Sequence, residues 1–299
     1  PMPVLLGVTH RFVDVGGLQV HVAEAGQGEP LVLLHGWPQH WWCWRRLIPA
    51  LAASHRVIAP DLRGWGWSSA PPGDYAKADF AADVLALLDS EGIGRAHIIG
   101  HDWGGYAAFL LALGHPERVE RLMALDVAPP WRQRSRLRAR RLALPLVGSY
   151  QALLAAPVLG PLALEHGARL VSAVIRAGSG GDFRWEHAEL EAYARVLSHP
   201  ARARASSACY RTFLTRELPT MLRRGDRSGE LRVPSLLVLG AESPITRVLD
   251  PRPGPNLRVE TVPGAGHFLP EEAPGELLRL AEGWLGGETR AQSAVGAGA

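Results

Sequence analysis

The sequence predicts an α/β protein: a mostly parallel sheet covered on both faces by helices, with one helical insertion. Three observations predict it. Short apolar runs that end in glycine-rich turns alternate with segments of helical spacing. That rhythm breaks at about residue 131, and helix-like sequence, arginine-rich and then apolar, continues to about 214. The rhythm then resumes with "VPSLLVLG" and "LRVETVPGAG", so the insertion lies between two parts of one sheet domain. The expected division is a core over 1–130, a helical cap over 131–214, the rest of the core over 215–286, and a small, polar, disordered tail over 287–299.

The elements come in this order. "RFVDVGGLQVHVAEAG" alternates apolar and polar residues around Gly16-Gly17, a hairpin signal. "PLVLLHG" and "RVIAPDLRGWG" are buried strands that end in turns. Phe80, Val84, Leu87 and Leu88 fall at helical spacing with acids on the other face. "AHIIGHD" is a strand that runs into a small-residue helix start, "WGGYAAFLLAL". "VERLMALDVAPP" is a strand with a proline stop, and the last helix falls near 271 to 285.

A chain of 299 residues buries a sizeable core without disulfides or metals. The net charge of +3 argues against a dedicated nucleic-acid binder. Lys77 is the only lysine, which we attribute to base composition. The arginine run "WRQRSRLRARR" (131 to 141) has no interleaved aromatics and reads as a solvated helix face. Cys43 and Cys209 are too few for a disulfide framework and fit a reducing, cytoplasmic setting. "PMPVLLGVTH" shows no signal peptide. Residues 142 to 164 carry no charge, but Pro145, Pro157 and Pro161 interrupt them, so short helices lining an apolar cavity are expected rather than a membrane span. The chain is expected to act as a monomer or homodimer.

The chemistry centres on "GHDWGG" (100 to 105). A strand that feeds a tight turn into a helix exposes the turn residue at the carboxyl end of the sheet. That residue is Asp102, beside the unpaired N–H groups of a helix start. A helix cap is the plain alternative. As a nucleophile, a carboxylate suits attack on sp³ carbon, which gives an alkyl ester. Hydrolysis of that ester needs a base and oxyanion donors. His267 in "GAGHFLPEE" supplies the base, and the backbone N–H groups of Trp37 and Trp103 supply the donors.

The motifs "HGWP" (35 to 38), "DLRGWGWSS" (61 to 69), "GHDWGG" and "GAGHFLPEE" (264 to 272) resemble the α/β-hydrolase superfamily, within it the epoxide hydrolase and haloalkane dehalogenase branch. The resemblance implies a helical cap over the active site and a cis Trp37-Pro38 bond. It also implies two cap tyrosines that donate to an epoxide oxygen. Tyr150 in "GSYQ" and Tyr210 in "ACYRTF" fall at those places, whereas Tyr193 reads as packing. Haloalkane dehalogenases of this branch carry Asn where Trp37 stands. Fluoroacetate dehalogenases carry arginines after the nucleophile, where this chain has Trp103, Gly104 and Gly105.

The acid that orients His267 departs from the pattern. Many relatives place an Asp in the loop after "VPSLLVLG", where this chain has Ser243. Two candidates remain: Asp126 at the end of "VERLMALD", and Glu242 beside Ser243. Trp41, Trp42 and Trp44 read as core and cavity wall, His35 as support for the oxyanion loop, and Asp61 and Arg63 as loop holders. Trp185 could line the cap pocket. No metal-ligand spacing and no cofactor motif are visible. The reading is an epoxide hydrolase acting on a hydrophobic small molecule through Asp102, Tyr150, Tyr210, His267 and Asp126. A haloalkane dehalogenase with the same nucleophile, or a ligand-binding member without turnover, are the alternatives.

Overall fold

The structure, a computed structural model, describes residues 1–132, 134–135, 149–225 and 227–287. Most of the arginine run, residues 142–148 and all of the expected tail except Gly287 lie outside these. Among the described residues the main sheet has eight strands: β1 (Thr9–Val15), β2 (Leu18–Ala25), β3 (Glu29–Leu34), β4 (His55–Pro60), β5 (Ala96–His101), β6 (Val119–Leu125), β7 (Ser235–Gly240) and β8 (Leu257–Val262). Their spatial order is β1-β2-β4-β3-β5-β6-β7-β8. Gly16 and Gly17 turn the β1–β2 hairpin with φ of 66° and 87°, a region open to residues without a Cβ. β2 pairs antiparallel with β4, and every later pairing is parallel.

Register brings the candidate site residues together. Leu34 pairs with Gly100, His101 with Leu125, and Leu125 with Val238. The carboxyl ends of β3, β5, β6 and β7 therefore align along one edge. Trp37, Asp102, Asp126 and Ser243 lie just past these four strand ends and open onto that edge, where open parallel sheets place ligands. β5 and β7 are buried at every position, the pattern of strands covered on both faces.

Helix α1 (Lys77–Ser90) buries Phe80, Val84, Leu87 and Leu88, the set that its spacing predicted. Helix α2 (Trp103–Gly114) is apolar almost all round, which suits a helix enclosed between the sheet and its neighbours. The last helical region divides. Leu269–Glu272 is one turn, Ala273 leaves helical geometry ahead of Pro274 with φ of −137° and ψ of 50°, and the main helix runs from Pro274 to Leu285. The residue before a proline is pushed out of helical geometry, which explains the break.

Residues 149–155 and Leu159–Glu165 are helical. They lead to α3 (Ala168–Gly178), α4 (His187–Leu197) and α5 (Pro200–Thr212). A capping box between Glu186 and Glu189 starts α4. Pro200 at the first position and the His199 ring accepting from Ala201 N–H start α5. Helical structure does not stop at 214. It continues through a π turn, Phe213–Glu217, and on to Arg223. Among the described residues no helix is long and apolar enough to cross a membrane.

A buried ion cluster holds these helices to the core. Arg45, just past the Trp41–Trp44 turn, reaches Glu271 at 2.5 Å and also pairs with Glu189 on α4. The Tyr193 hydroxyl donates to the same Glu271 carboxylate. Burial raises the Glu271 pKa, and Arg45 opposes the shift. Glu271→Ala leaves Arg45 and Tyr193 without this acceptor and should cost about 3 kcal/mol in urea unfolding. A loss below about 1 kcal/mol would show that Glu189 carries the cluster alone.

Candidate active site

Asp102 occupies the turn between β5 and α2 with φ of 50°, strained for a residue with a side chain. Close backbone approach makes the turn possible. A Cβ on Gly36 would lie 2.3 Å from the Asp102 Cβ, and one on Gly104 would lie 2.3 Å from the Leu34 carbonyl oxygen. Asp102 thus sits against the β3 loop, where Trp37 N–H donates to its Oδ1 at 2.9 Å. Trp103 N–H also hydrogen-bonds the carboxylate. Burial raises the Asp102 pKa, while His267 and these two N–H groups pull it back toward the ionised form. The Trp37–Pro38 bond is cis.

His267 lies past β8 in a loop fixed by backbone contacts. Its N–H donates to the Gly178 carbonyl at the end of α3, and its carbonyl oxygen meets His101 Nε2 at 2.9 Å. The ring bridges two carboxylates. Nδ1 lies 2.6 Å from Asp126 Oδ2, and Nε2 lies 3.7 Å from Asp102 Oδ2. Burial lowers the His267 pKa, but the Asp126 hydrogen bond and the charges of Asp126 and Asp102 outweigh it, so the net shift is upward.

Asp126 lies just past β6, is fully buried and has φ of 42°. Gly240 N–H donates to its Oδ1 at 3.0 Å, and the Ser243 hydroxyl donates to its Oδ2 at 2.6 Å. Ser243 stands where relatives were expected to carry an acid. Here it supports the acid on the neighbouring strand. Glu242, the other candidate, turns away and accepts from Gly181 N–H at 2.7 Å.

Tyr150 and Tyr210 share a cavity of about 720 Å³ with Asp102 and His267. Tyr150 stacks on the Trp37 indole at 6.1 Å, and Tyr210 meets the same indole edge-on at 5.2 Å. Tyr210 also lies 5.7 Å from the Trp103 ring. Burial raises the pKa of both phenols, which keeps them protonated. The other walls are mainly apolar, with Val174, Phe213, Met221 and Ile245 among them. Among the described residues, Arg247 is the one lysine or arginine in this lining.

The family model for the alpha/beta hydrolase fold matches residues 29–274. The chain is 30% identical to a fluoroacetate dehalogenase of a Burkholderia species over 93% of this chain and 94% of that protein. The chain belongs to the α/β-hydrolase fold family. Within that family it is also 48% identical to a soluble epoxide hydrolase of Corynebacterium sp. (strain C12), over 41% of this chain and 43% of that protein. That match thus spans under half of the relative's length. The solved epoxide hydrolase CorEH superposes with a TM-score of 0.78 at 29% identity, covering 93% of this chain and 99% of that one.

Other α/β-hydrolase motif residues brace the loops around the site. His35 Nε2 accepts from Leu62 N–H at 3.0 Å, which supports the loop before Trp37. Asp61 accepts from the N–H groups of Trp41 and Trp67, and Arg63 pairs with Asp83. Trp41 and Trp44 are core residues and do not line the cavity. Trp185 does not line it either. Its indole N–H donates to Ser179, and its ring packs on Phe268. Sequence reasoning missed the wall residues Ala173 and Ala177 on α3, although their spacing of four marks one helical face. Chain spacing gave no metal site. In space, Glu29, His55 and His97 converge to within 4.8 Å at the start of β3, β4 and β5, the opposite end of the sheet from Asp102.

Ser243 also accepts from Ile245 N–H as a helix cap. Ser243→Ala removes a donor to a buried carboxylate together with that cap, and should destabilise by about 2 kcal/mol in urea unfolding. A change under about 0.5 kcal/mol would mean that Asp126 does not depend on this hydroxyl.

Proposed function

We propose that the protein is an epoxide hydrolase that forms a covalent alkyl-enzyme ester on Asp102. One observation carries the reading: two buried, protonated phenols, Tyr150 and Tyr210, share an apolar cavity with a carboxylate held at a nucleophile turn. An Asp102 oxygen forms a bond to a ring carbon as the ring C–O bond breaks. The electron pair passes to the ring oxygen, which takes a proton from a tyrosine hydroxyl. A halide leaves without needing a proton. Two phenols therefore favour an oxygen leaving group.

In the second step His267 takes a proton from water, which attacks the Asp102 carboxyl carbon. The oxyanion faces the N–H groups of Trp37 and Trp103. Asp126 holds the ring through Nδ1, so that Nε2 faces the ester, and stabilises the imidazolium that forms. The intermediate expels the diol oxygen, which takes the proton from His267, and the proton left on the Asp102 carboxyl passes to the tyrosinate, which restores both groups. The apolar walls suit a hydrophobic small molecule. Both cysteines are free and buried, in keeping with a cytoplasmic setting.

A second reading is dehalogenation at the same carboxylate, and the nearly full-length match to a fluoroacetate dehalogenase favours it. Trp103, Gly104 and Gly105 after the nucleophile leave no cation there to hold a substrate carboxylate. Intact mass separates the readings. His267→Gln should slow ester hydrolysis by about 10²–10⁴-fold, so that the ester accumulates. The expected adduct has the mass of a whole epoxide and maps to Asp102. An adduct from haloalkanes alone, with the halogen lost, would overturn the epoxide reading.

Tyr150→Phe with Tyr210→Phe should lose ring opening by about 10²–10⁴-fold while the protein stays folded. Activity that survives the double change would remove the phenols from the reaction. The pH dependence has a defined sign. In the free enzyme the Asp102 charge helps to raise the His267 pKa. The ester has no such charge, so the acid limb of ester decay should lie at lower pH than the NMR titration of His267 in the free enzyme. A limb at or above the free-enzyme value would contradict this coupling.

A further inference from the structure

Lys77 is the chain's only lysine among 32 lysines and arginines, and its side chain is fully buried. A buried ammonium is costly unless its surroundings compensate for the lost water. Four groups surround this one. Its Nζ lies 4.4 Å from the centroid of the Trp103 ring and 5.2 Å from that of Phe213. It donates to the Cys209 carbonyl oxygen at 3.1 Å and pairs with Glu217 at 2.6 Å. Glu217 also accepts from the Lys77 backbone N–H at 2.8 Å.

These partners come from both sides of the cavity. Trp103 is next to the nucleophile in the chain, and its indole meets Tyr210 and, at 4.8 Å, Phe213. Cys209 immediately precedes Tyr210, and Phe213 and Glu217 lie on the π turn that continues the same helix. One ammonium therefore joins the core residue beside Asp102 to the helix that carries Tyr210. A compact ammonium fits between two aromatic faces while donating to one carbonyl oxygen and pairing with a carboxylate, whereas a planar guanidinium is larger and forked. That difference accounts for a lysine at this place in a chain that otherwise uses arginine.

We propose that Lys77 is a positioning residue for ring opening: it locks the Trp103 indole and the Tyr210 helix into one unit, and so sets the tyrosine hydroxyl against the substrate oxygen. The proposal rests on the epoxide reading of the site. It predicts an asymmetry between the two chemical steps. Tyr210 acts in alkylation, whereas ester hydrolysis depends on His267, Asp126 and the backbone N–H groups of Trp37 and Trp103; Lys77 touches none of these groups, since its contact with Trp103 is with the indole ring.

Lys77→Met alone leaves Glu217 with a half-buried charge that has lost its cation, and can fail to fold. Lys77→Met with Glu217→Gln removes both charges and keeps an acceptor for the residue 77 N–H. Quenched single-turnover reactions with an epoxide, read by intact mass, track the rise and decay of the alkyl-enzyme. In the double variant the rise should slow by about 10- to 100-fold, with the decay within about threefold of the parent. Equal slowing of both steps would mean a merely structural role and overturn the proposal, as would an unchanged rise. Absence of any alkyl-enzyme in His267→Gln protein that keeps Lys77 would instead overturn the epoxide reading, and this proposal with it.

Discussion

The backbone at Asp102 is the constraint on which the rest of the site depends. A side chain held at φ of 50° between a buried strand and a buried helix needs the structure around it to over-determine the turn. Gly36 and Gly104 let the β3 loop come close enough for Trp37 N–H to reach the carboxylate. Asp126 repeats the device on the next strand, with φ of 42° and full burial. Two strained carboxylates at adjacent strand ends, bridged by one imidazole, form a unit that parallel register sets in place.

The cavity places opposite demands on its two sides. On the core side, backbone N–H groups and His267 keep Asp102 toward its ionised form against the pull of burial. On the helical side, burial first, with the nearby Asp102 charge adding to it, pushes the pKa of both phenols up. A carboxylate held by the Trp37 backbone N–H and two neutral phenols packed on the Trp37 indole thus coexist around one residue. The Arg45–Glu271–Tyr193 cluster and the Lys77–Glu217 pair tie the two sides together at separate points.

Much of this was legible in the sequence because it lies in local patterns. The strand–turn–helix signature around Asp102 and the glycine-rich loop at His267 are short-range features, as is the break in rhythm near residue 131. The illegible remainder depends on contacts across the chain. Ser243 reads as a missing acid until its hydroxyl is seen donating to Asp126, 117 residues away. Glu242 and Asp126 could be ranked by rigidity but not separated, since the choice lies in which strand end faces the imidazole. Lys77 carried no signal beyond its rarity, because its meaning comes from partners on Trp103 and on a helix 132 residues away. The end of the helical stretch was misplaced for a similar reason: a π turn carries the helix through 214 without a break in composition.

The central claim is that Asp102 itself becomes bonded to the substrate. A single turnover in ¹⁸O-labelled water, with enzyme in excess over epoxide, tests it most directly. If water attacks the Asp102 carboxyl carbon, the first diol carries oxygen from the protein. The label then appears in the peptide that contains Asp102, and the diol is unlabelled. Label in the diol and none in that peptide would mean that water attacks the substrate directly, with Asp102 serving as a base, and would contradict the account.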